Sequence, residues 1–333
     1  MEKVNVVGAG AWGTSLAIAA ARAGREVALW CRNEDHARDM NENSVNNRYL
    51  PGITLPESIS ATADLESVCG ADVLLNVVPS QHLRSNLIAL GDHLKPTTAI
   101  VICSKGIENG TEKMMSEVIE ETLPNQPYAI LSGPNFAREI AKGLPAATTL
   151  AAHSEELGKK LVYAIGHPTF RPYYTDDVIG AQMGGAIKNV LAIACGIVGG
   201  AKYGENARAA LITRGMAEVL RLGDKLGAKA ETLMGLSGFG DLVLTCSSNA
   251  SRNYSLGFAL GEGQSLQEIL ESRISVTEGV HTAAALCDLA KKHNIEMPIC
   301  IAVNKILNEG ASVDRMVTEL LARPFRDEKL AGF

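Results

Sequence analysis

Two lysines in this 333-residue chain lie at positions where a charged side chain could bind a ligand or take part in catalysis. Lys105 follows the apolar run 99–103, which predicts a buried strand, and open α/β sheets bind ligands at the carboxyl ends of their strands. Lys188 begins an otherwise apolar helical run, where an ammonium group must face a cleft or a partner. For each lysine, the structural alternative is a surface residue whose aliphatic stem covers apolar neighbours.

A second polar set lies further along the chain. Gly238 and Gly240 lie just before Asp241 and permit close backbone approach, and Ser251-Arg252-Asn253 offers a hydroxyl, a guanidinium group and an amide, which suit a phosphoryl group. Ser132-Gly133-Pro134-Asn135 follows another predicted strand. The structural alternatives are a turn with an Asx cap and a helix N-cap. The seven histidines show no metal-ligand spacing, so we expect no metal.

Gly8-Ala9-Gly10-Ala11-Trp12-Gly13 is a complete G-x-G-x-x-G motif between a predicted strand and a predicted helix. The first glycine allows a tight turn, the second lets backbone N–H groups approach a pyrophosphate, and the third permits close packing of helix and strand. The positive end of the following helix favours an anion there. The motif therefore predicts dinucleotide binding, and a packing turn is the alternative.

The second strand should end near the residue that selects the cofactor. NAD-specific proteins place an acidic residue about 20 positions beyond the glycine motif to bind the ribose hydroxyls. Arg32 occupies that neighbourhood here, and arginine suits a 2′-phosphate. Glu34 and Asp35 follow closely, and either carboxylate would reach the ribose after a turn. We expect NADP(H) as the preferred cofactor, with NAD(H) also used.

The elements that must position these residues differ between the two halves of the chain. Short β-branched runs alternate with longer helical patterns in the first half, which predicts parallel βαβ units. The predicted strands are 4–7, 26–30, 72–78, 99–103 and 128–131, and the predicted helices are 14–23, 112–121 and 136–141. Residues 43–56, rich in Asn, Pro and Gly, are predicted to form a loop.

From about residue 178 onward, Ala, Leu, Met and Gly recur at helical spacing. The predicted helices there are 186–195, 209–223, 282–293 and 301–307. The chain also exceeds the length of about 250–300 residues at which a single core stops growing. We therefore predict a dinucleotide-binding α/β domain over 1–182 and a helical substrate-binding domain over 183–333.

Composition excludes several classes of function. With 31 basic and 37 acidic residues, the net charge of −6 leaves no large basic surface for nucleic acid or anionic lipid. The seven cysteines are an odd number without a Cys-x-x-Cys pair, which favours reduced thiols in the cytoplasm. No basic leader begins the chain and the most apolar stretch, 190–198, is short, so we expect no stable membrane insertion.

Seven motifs in this order resemble the bacterial NAD(P)-dependent sn-glycerol-3-phosphate dehydrogenases over essentially the whole chain. The motifs are Gly8–Gly13, Ser104-Lys105-Gly106, Ser132-Gly133-Pro134, 184–189, 240–246, Ser251-Arg252-Asn253 and Thr277-Glu278-Gly279. The resemblance implies a Rossmann-like N-terminal domain followed by an all-α C-terminal domain, with the active site between them. It implies reversible hydride transfer between NAD(P)H and dihydroxyacetone phosphate, which gives sn-glycerol 3-phosphate for phospholipid synthesis. The expected partner is this small-molecule substrate, and we allow for a homodimer.

The resemblance also implies residue roles. Lys188 would be the catalytic acid and base, assisted by Lys105 and Asp241, whose carboxylate would orient Lys188 and favour its charged form. Substrate binding would involve Lys105, Gly133, Asn135, Lys188, Asp241, Ser251, Arg252 and Asn253. Cofactor binding would involve Gly8, Gly10, Ala11, Trp12, Gly13, Arg32, Lys105, Ala137, Arg252, Val276 and Glu278. Asn135 stands where serine or threonine is usual in the family, so an amide would replace a hydroxyl contact.

Two alternatives use fewer of these residues. A reductase of another 2-oxo or 3-hydroxy acid would share the glycine motif and a catalytic lysine, but it would have no use for Ser251-Arg252-Asn253. A nucleotide-sensing protein without turnover would need only the glycine motif and Arg32. It would leave Lys105, Lys188 and Asp241 idle.

Overall fold

A computed structural model describes residues 1–272 and 278–324, which divide into two compact units. The first unit comprises 1–104 and 115–181, and the second comprises 105–114 and the chain from residue 182. The predicted first domain, 1–182, also contains segment 105–114, which lies in the second compact unit. Two ion pairs link the segment to the rest of that unit: Lys105 with Asp241, and Glu112 with Lys292, whose Nζ lies 3.5 Å from Glu112 Oε2.

The first unit is built on an eight-stranded sheet in the order β3-β2-β1-β4-β5-β6-β7-β8. The strands are β1 (Val4–Val7), β2 (Val27–Trp30), β3 (Ile59–Thr62), β4 (Val73–Asn76), β5 (Ala99–Ile102), β6 (Tyr128–Ser132), β7 (Ala146–Ala151) and β8 (Phe170–Thr175). Neighbouring strands are parallel except for the antiparallel pair β6 and β7. The parallel part confirms the predicted βαβ organisation.

Helices cover both faces of this sheet. They are α1 (Ala11–Arg22), α2 (Glu34–Asn43), α3 (Leu65–Val68), α4 (Leu83–Gly91), α5 (Met115–Thr122), α6 (Ala137–Ala141) and α7 (Glu155–Ile165). Successive side chains of a strand point to opposite faces. Val6 accordingly lies in one apolar cluster with Leu16 of α1, and Val7 lies in the other with Leu83 of α4. Burial on both faces explains the continuous apolar runs of the central strands.

The described residues of the second unit form helices and turns, with one isolated bridge between Ile107 and Met114. The helices are the main part of α8 (Val178–Gly200), α9 (Glu205–Leu226), α10 (Ala230–Leu233), α11 (Asp241–Cys246), α12 (Arg252–Gly261), α13 (Leu266–Glu271), α14 (Glu278–Lys292), α15 (Pro298–Asn308) and α16 (Val313–Leu321). A π-helical turn, Leu236–Gly240, precedes α11. The fold class is therefore as predicted: a Rossmann-like α/β part followed by an all-α part.

Helix α8 is longer than the sequence predicts, with 23 residues. Among the described helices, α8 is the one whose length and composition would allow it to cross a membrane, and 94% of its most apolar 18-residue window is buried inside the protein. It packs backbone to backbone on α12. A Cβ atom at Gly196 would lie 2.1 Å from the Tyr254 carbonyl oxygen, and one at Gly257 would lie 2.0 Å from the Ile193 carbonyl oxygen. This burial is typical of the central helix of a globular domain.

Candidate active site

The glycine-rich turn begins directly after β1. Gly8 has a φ of +113°, which favours glycine, and its N–H donates to the Trp30 carbonyl oxygen at the end of β2. A Cβ atom at Gly13 would lie 1.7 Å from the Gly8 carbonyl oxygen, so only glycine lets α1 approach the turn this closely. A Cβ atom at Gly10, by contrast, would meet no protein atom within 4 Å. The turn is therefore closed where it packs on the protein and open beside Gly10.

The start of α1 suits an anion. Gly10 is its N-cap and provides no side-chain cap, and the first turn contains no acidic residue. The N–H groups of that turn and the helix dipole therefore present partial positive charge. The indole Nε1 of Trp12 is buried and has no hydrogen-bond partner among the described residues. Open space beside Gly10, an uncapped helix and a buried donor together fit the pyrophosphate of a dinucleotide.

The residues considered for cofactor selection follow β2. Arg32 is exposed, and Asn33 caps α2 by accepting a hydrogen bond from the His36 N–H at 2.7 Å. Asp35 is engaged in an ion pair with Arg38, whereas Glu34 begins α2 and is exposed. Of the two carboxylates considered for the ribose, Asp35 is thus already paired within its own helix.

Buried polar atoms without a hydrogen-bond partner among the described residues mark the carboxyl ends of three neighbouring strands. They are Oδ1 of Asn76 at the end of β4, Oγ of Ser104 after β5 and Oγ of Ser132 at the end of β6. A buried polar atom without a partner costs about 1–3 kcal/mol, so a ligand that pairs with it gains that free energy. This edge therefore fits the polar groups of a cofactor or substrate.

Asn135 lies beside this edge. Its Nδ2 donates to Thr148 Oγ1 at 3.0 Å, and that hydroxyl donates to the Ser132 carbonyl oxygen, while Asn135 Oδ1 is buried without a described partner. Gly133 is required here, because a Cβ atom would lie 2.9 Å from the Thr148 Cα and Oγ1 atoms. The free atom of the Asn135 side chain is therefore an oxygen that can only accept a hydrogen bond. A serine or threonine hydroxyl at this position could both accept and donate.

Ala137 ties a neighbouring helix to the glycine-rich turn. It is the first residue of α6, and its carbonyl oxygen accepts a hydrogen bond from Ser15 of α1 at 2.7 Å. The same hydroxyl oxygen lies 2.8 Å from the Ala11 carbonyl oxygen, so its single hydrogen is shared between the two carbonyl oxygens. Ala11, Ala137 and the turn are therefore parts of one local structure.

Three charges meet in the second unit. Asp241 is almost fully buried, its Oδ1 accepts from Lys188 Nζ at 2.5 Å, and its Oδ2 accepts from Lys105 Nζ at 2.7 Å. The Lys188 and Lys105 side chains are only 10% and 13% exposed. Two ammonium groups share one carboxylate, so the cluster carries a net positive charge when both lysines are protonated. That charge suits a phosphorylated or oxyanionic ligand.

Glycines at two positions allow the close backbone packing that brings this cluster together. A Cβ atom at Gly184 would lie 2.4 Å from the Ser237 carbonyl oxygen, so α8 lies directly on the backbone of the π-helical turn. Lys188 is four residues, about one helical turn, beyond Gly184 on the same face. A Cβ atom at Gly238 would lie 1.8 Å from the Leu233 carbonyl oxygen. The glycines that the sequence places before Asp241 therefore serve close packing, which sets the position of the carboxylate.

Burial determines the protonation of Lys188. Desolvation lowers the pKa of its ammonium group from the usual 10.5 to about 8; Asp241 opposes this effect, and the nearby charge of Lys105 adds to it. The expected charge-stabilising effect of Asp241 is present, but burial outweighs it. A lysine with a pKa near 8 is available in both protonation states close to neutral pH, as a proton donor and acceptor must be.

Ser251-Arg252-Asn253 forms the start of α12. Ser251 is the N-cap and accepts from the Tyr254 N–H at 3.2 Å, and Arg252 is exposed in the first turn. Asn253 is buried; it donates to Asn189 Oδ1 at 3.0 Å and accepts from the Gly279 N–H at 3.1 Å. Asn189 follows Lys188 on α8, and Gly279 follows Glu278 at the start of α14. Asn253 thus joins three helices close to the lysine.

The structure brings the predicted residues together in groups. Lys105, Lys188 and Asp241 are in contact, and Asn253 is joined to the residues after Lys188 and Glu278. In the first unit, the glycine-rich turn is joined to Ala137 through α1. Val276 lies outside the described residues. No group of three or more His, Cys, Asp or Glu that could hold a metal ion occurs in the described part of the chain.

Three supporting residues have no role in the sequence prediction: Thr148, and Asn189 and Thr245, which lie within the motifs 184–189 and 240–246. Thr245 donates through Oγ1 to the Asp241 carbonyl oxygen at 2.6 Å. Asn189 and Thr245 lie one and four positions after predicted site residues, so sequence proximity could have suggested them. Thr148 carries no such signal, because its contacts depend on the antiparallel pairing of β6 with β7.

Comparison with protein families gives two matches. Residues 3–158 match the N-terminus, and residues 177–318 match the C-terminus, of the family described as NAD-dependent glycerol-3-phosphate dehydrogenase. A protein of Parvibaculum lavamentivorans named glycerol-3-phosphate dehydrogenase (NAD(P)+) is 55% identical, with 98% of each chain covered. A protein of the same name from Caulobacter vibrioides is 52% identical, over 98% of this chain and 99% of the relative.

Solved structures agree with these matches. The crystal structure of glycerol-3-phosphate dehydrogenase from Coxiella burnetii is similar with a TM-score of 0.93 and 42% identity, covering 97% of this chain and 99% of that one. A yeast glycerol-3-phosphate dehydrogenase structure is similar with a TM-score of 0.83 and 27% identity, over 97% of this chain and 99% of that one.

Proposed function

The chain belongs to the family of NAD-dependent glycerol-3-phosphate dehydrogenases, and on this premise we propose how its residues carry out the family's reaction. It is an oxidoreductase that interconverts dihydroxyacetone phosphate and sn-glycerol 3-phosphate with NAD(P)(H), a reaction that supplies glycerophospholipid synthesis. The residue roles, the cofactor preference, the assembly and the location are our proposals.

Lys188 is the proton donor for reduction and the acceptor for oxidation. When bound, the reduced nicotinamide supplies a hydride to the C2 carbonyl carbon, and the carbonyl π electrons become a lone pair on the alkoxide oxygen. Lys188 Nζ gives that oxygen a proton and becomes a neutral amine. The observation that carries this role is the buried Lys188 ammonium group held by Asp241, with a pKa near 8. Burial also strengthens its polarisation of the carbonyl before hydride transfer.

Lys105 and Asp241 complete this set. Asp241 binds both ammonium groups and so fixes the direction of each. Lys105 keeps a second positive charge near the developing alkoxide and lowers the pKa of Lys188. In the reverse direction, neutral Lys188 takes the hydroxyl proton of sn-glycerol 3-phosphate.

The start of α12 anchors the substrate phosphate. Arg252 supplies a guanidinium group, and the helix N-terminus adds partial positive charge. Ser251 uses its oxygen lone pair as the N-cap and keeps its hydroxyl hydrogen for a phosphate oxygen. Asn253 retains one N–H of its amide. Gly133 and Asn135 contribute further substrate contacts from the first unit. Phosphate binding remote from C2 would position the carbonyl for reduction.

The first domain, 1–182, binds the cofactor and the second, 183–333, binds the substrate, with segment 105–114 contributing Lys105 to the second. The Gly8–Gly13 turn holds the pyrophosphate, and exposed Arg32 pairs with a 2′-phosphate, so NADP(H) is preferred and NAD(H) is also used. The remaining cofactor contacts are Ala11, Trp12, Lys105, Ala137, Arg252, Val276 and Glu278.

We propose that the enzyme works in the cytoplasm, and a homodimer is the assembly to test. All seven cysteines are free, and all but Cys287 are buried, which suits a reducing compartment. Light scattering of the purified chain tests the assembly, since a single species of one-chain mass would contradict the dimer.

The decisive experiment follows NADPH and NADH oxidation with dihydroxyacetone phosphate and with a panel of unphosphorylated 2-oxo acids. We expect turnover only with the phosphorylated ketone, and a higher kcat/KM with NADPH. Turnover of an unphosphorylated 2-oxo acid would indicate the alternative reductase. Tight cofactor binding without turnover of any carbonyl compound would indicate a nucleotide-sensing protein.

A further inference from the structure

Asn46 lies in the loop between α2 and β3 and is fully buried, although Ser44, Asn47 and Arg48 of the same loop are exposed. Its Nδ2 donates to the Ala9 carbonyl oxygen at 2.9 Å and to Thr14 Oγ1 at 2.8 Å. Its Oδ1 accepts from the Tyr49 N–H at 3.2 Å and lies 3.0 Å from His36 Nε2. One amide thus joins the glycine-rich turn, the first turn of α1, α2 and its own loop.

These partners determine the orientation of the amide. If the oxygen and nitrogen exchanged places, the oxygen would face the Ala9 carbonyl oxygen, and the NH₂ group would face the Tyr49 N–H. Both contacts would then be repulsive. Because Oδ1 is the acceptor, His36 Nε2 must carry a hydrogen and donate it. Neutral His36 is therefore held as the Nε2–H tautomer.

The contact with Ala9 controls the ligand-facing side of the turn. In a trans peptide, the C=O of one residue and the N–H of the next point in opposite directions. Fixing the Ala9 carbonyl toward Asn46 therefore aims the Gly10 N–H away from Asn46. The position of Gly10 is the open part of the turn, where a Cβ atom would meet no protein atom within 4 Å.

We propose that Asn46 is a positioning residue for the cofactor, which holds the Gly8–Gly13 turn in its pyrophosphate-binding shape through the Ala9 carbonyl and Thr14. The inference rests on the proposed binding of a dinucleotide by this turn. A turn fixed before binding loses less conformational entropy when the cofactor arrives. The pyrophosphate is common to both cofactors, so Asn46 acts equally on NADPH and NADH.

The test compares Asn46→Ala with the wild-type enzyme, using nicotinamide fluorescence to measure the Kd of NADPH and of NADH. We expect both Kd values to rise about tenfold and by the same factor, since two hydrogen bonds to the turn are lost. The KM for dihydroxyacetone phosphate at saturating NADPH should stay within about twofold. The matched control is Asn41→Ala, which removes two hydrogen bonds between α2 and Ala61 of β3 and none to the turn.

A spectroscopic readout needs no turnover. In ¹⁵N spectra, His36 should be the Nε2–H tautomer in the wild type and a mixture of tautomers in Asn46→Ala.

Thr14→Val is a second variant, which removes one hydrogen-bond acceptor of Asn46 and keeps the side-chain shape. It should raise both Kd values about threefold, and it decides the question if Asn46→Ala does not fold. Unchanged Kd values, or equal losses in Asn41→Ala, would overturn the role of Asn46. A wild-type enzyme that binds neither cofactor would instead overturn the proposed function.

Discussion

The glycine-rich turn and the strand ends of the first unit carry uncharged polar groups, whereas Lys105, Lys188 and Asp241 of the second unit form a cluster of three largely buried charges. In the first unit these groups are backbone N–H groups, the Trp12 indole and buried atoms such as Ser132 Oγ, and the last two have no hydrogen-bond partner within the described ranges. In the second unit, Lys105, Lys188 and Asp241 are already paired with one another. In the proposed function, a ligand pairs with the groups of the first unit, and the three charges of the second unit regulate a proton.

This difference has a physical reason. An unpaired buried charge costs far more than an unpaired hydroxyl or amide, so charges used in chemistry must be paired before substrate arrives. Neutral groups can wait without a partner at a cost of about 1–3 kcal/mol each. Substitutions in the two regions should therefore fail differently, through binding in the first and through kcat and its pH dependence in the second.

The largest effect is expected for Lys188→Ala. Loss of the proton donor should lower kcat for reduction by about a thousandfold, while the Kd of NADPH measured by fluorescence stays within about twofold. Lys225→Ala, which removes an exposed lysine of α9, is the matched control and should retain wild-type kcat. Full turnover by Lys188→Ala would remove the basis of the comparison.

Asp241→Asn should lower kcat at pH 8 by about a hundredfold. Reduction needs protonated Lys188, so the wild-type rate should fall as pH rises through about 8. Without the carboxylate, nothing opposes burial, the pKa of Lys188 decreases, and the falling limb of the pH–rate profile moves to lower pH. Exposed Asp224→Asn of α9 serves as the control and should leave the limb in place. If the falling limb of the pH–rate profile stayed at the same pH in Asp241→Asn, a group other than Lys188 would be responsible for it.

Gly10→Ala tests the uncharged region. A methyl group there meets no protein atom but enters the open side of the turn, so we expect KM for NADPH to rise roughly thirtyfold, about 2 kcal/mol, with unchanged Tm. Gly70→Ala is matched, because its Cβ atom would also meet nothing within 4 Å, away from the turn. Equal KM values for the two variants would show that no ligand approaches Gly10.

The smallest effect is expected for Arg32→Gln. Loss of a charge-assisted contact should raise KM for NADPH about tenfold and leave KM for NADH nearly unchanged. Arg171→Gln, on the edge strand β8 at the far end of the sheet from β2, is the control. If both cofactors were weakened equally, Arg32 would act on a part that they share, and the cofactor preference would need another origin.

The sequence predicted the central strands, whose burial is uniform, and also β2, along which burial alternates. β1, β4 and β5 are buried on both faces, so their residues form continuous apolar runs. β7 is rich in alanine and threonine, and β8 contains Pro172, which argues against a strand. Neither strand was predicted, because their positions depend on the sheet edge that they extend.

The candidate site was predictable as a set of residues and less so as a cluster. Lys105 and Lys188 reach Asp241 across 136 and 53 positions of the sequence, distances over which spacing carries no information. The balance between burial and Asp241 in the pKa of Lys188 also requires the fold. Asn46 lies in an Asn-rich loop, where composition alone explains an asparagine.

The contact between α8 and α12 has a consequence for how Lys188 stays in place. At Gly196, Gly200 and Gly257, added Cβ atoms would lie 2.0–2.1 Å from carbonyl oxygens of the opposite helix. Sliding α8 by one residue along α12, or rotating it about its axis, would replace a glycine with a bulkier residue at the contact. The two helices therefore fit in one register. Because Lys188 lies on α8, the glycines of this contact also fix the position from which its side chain extends.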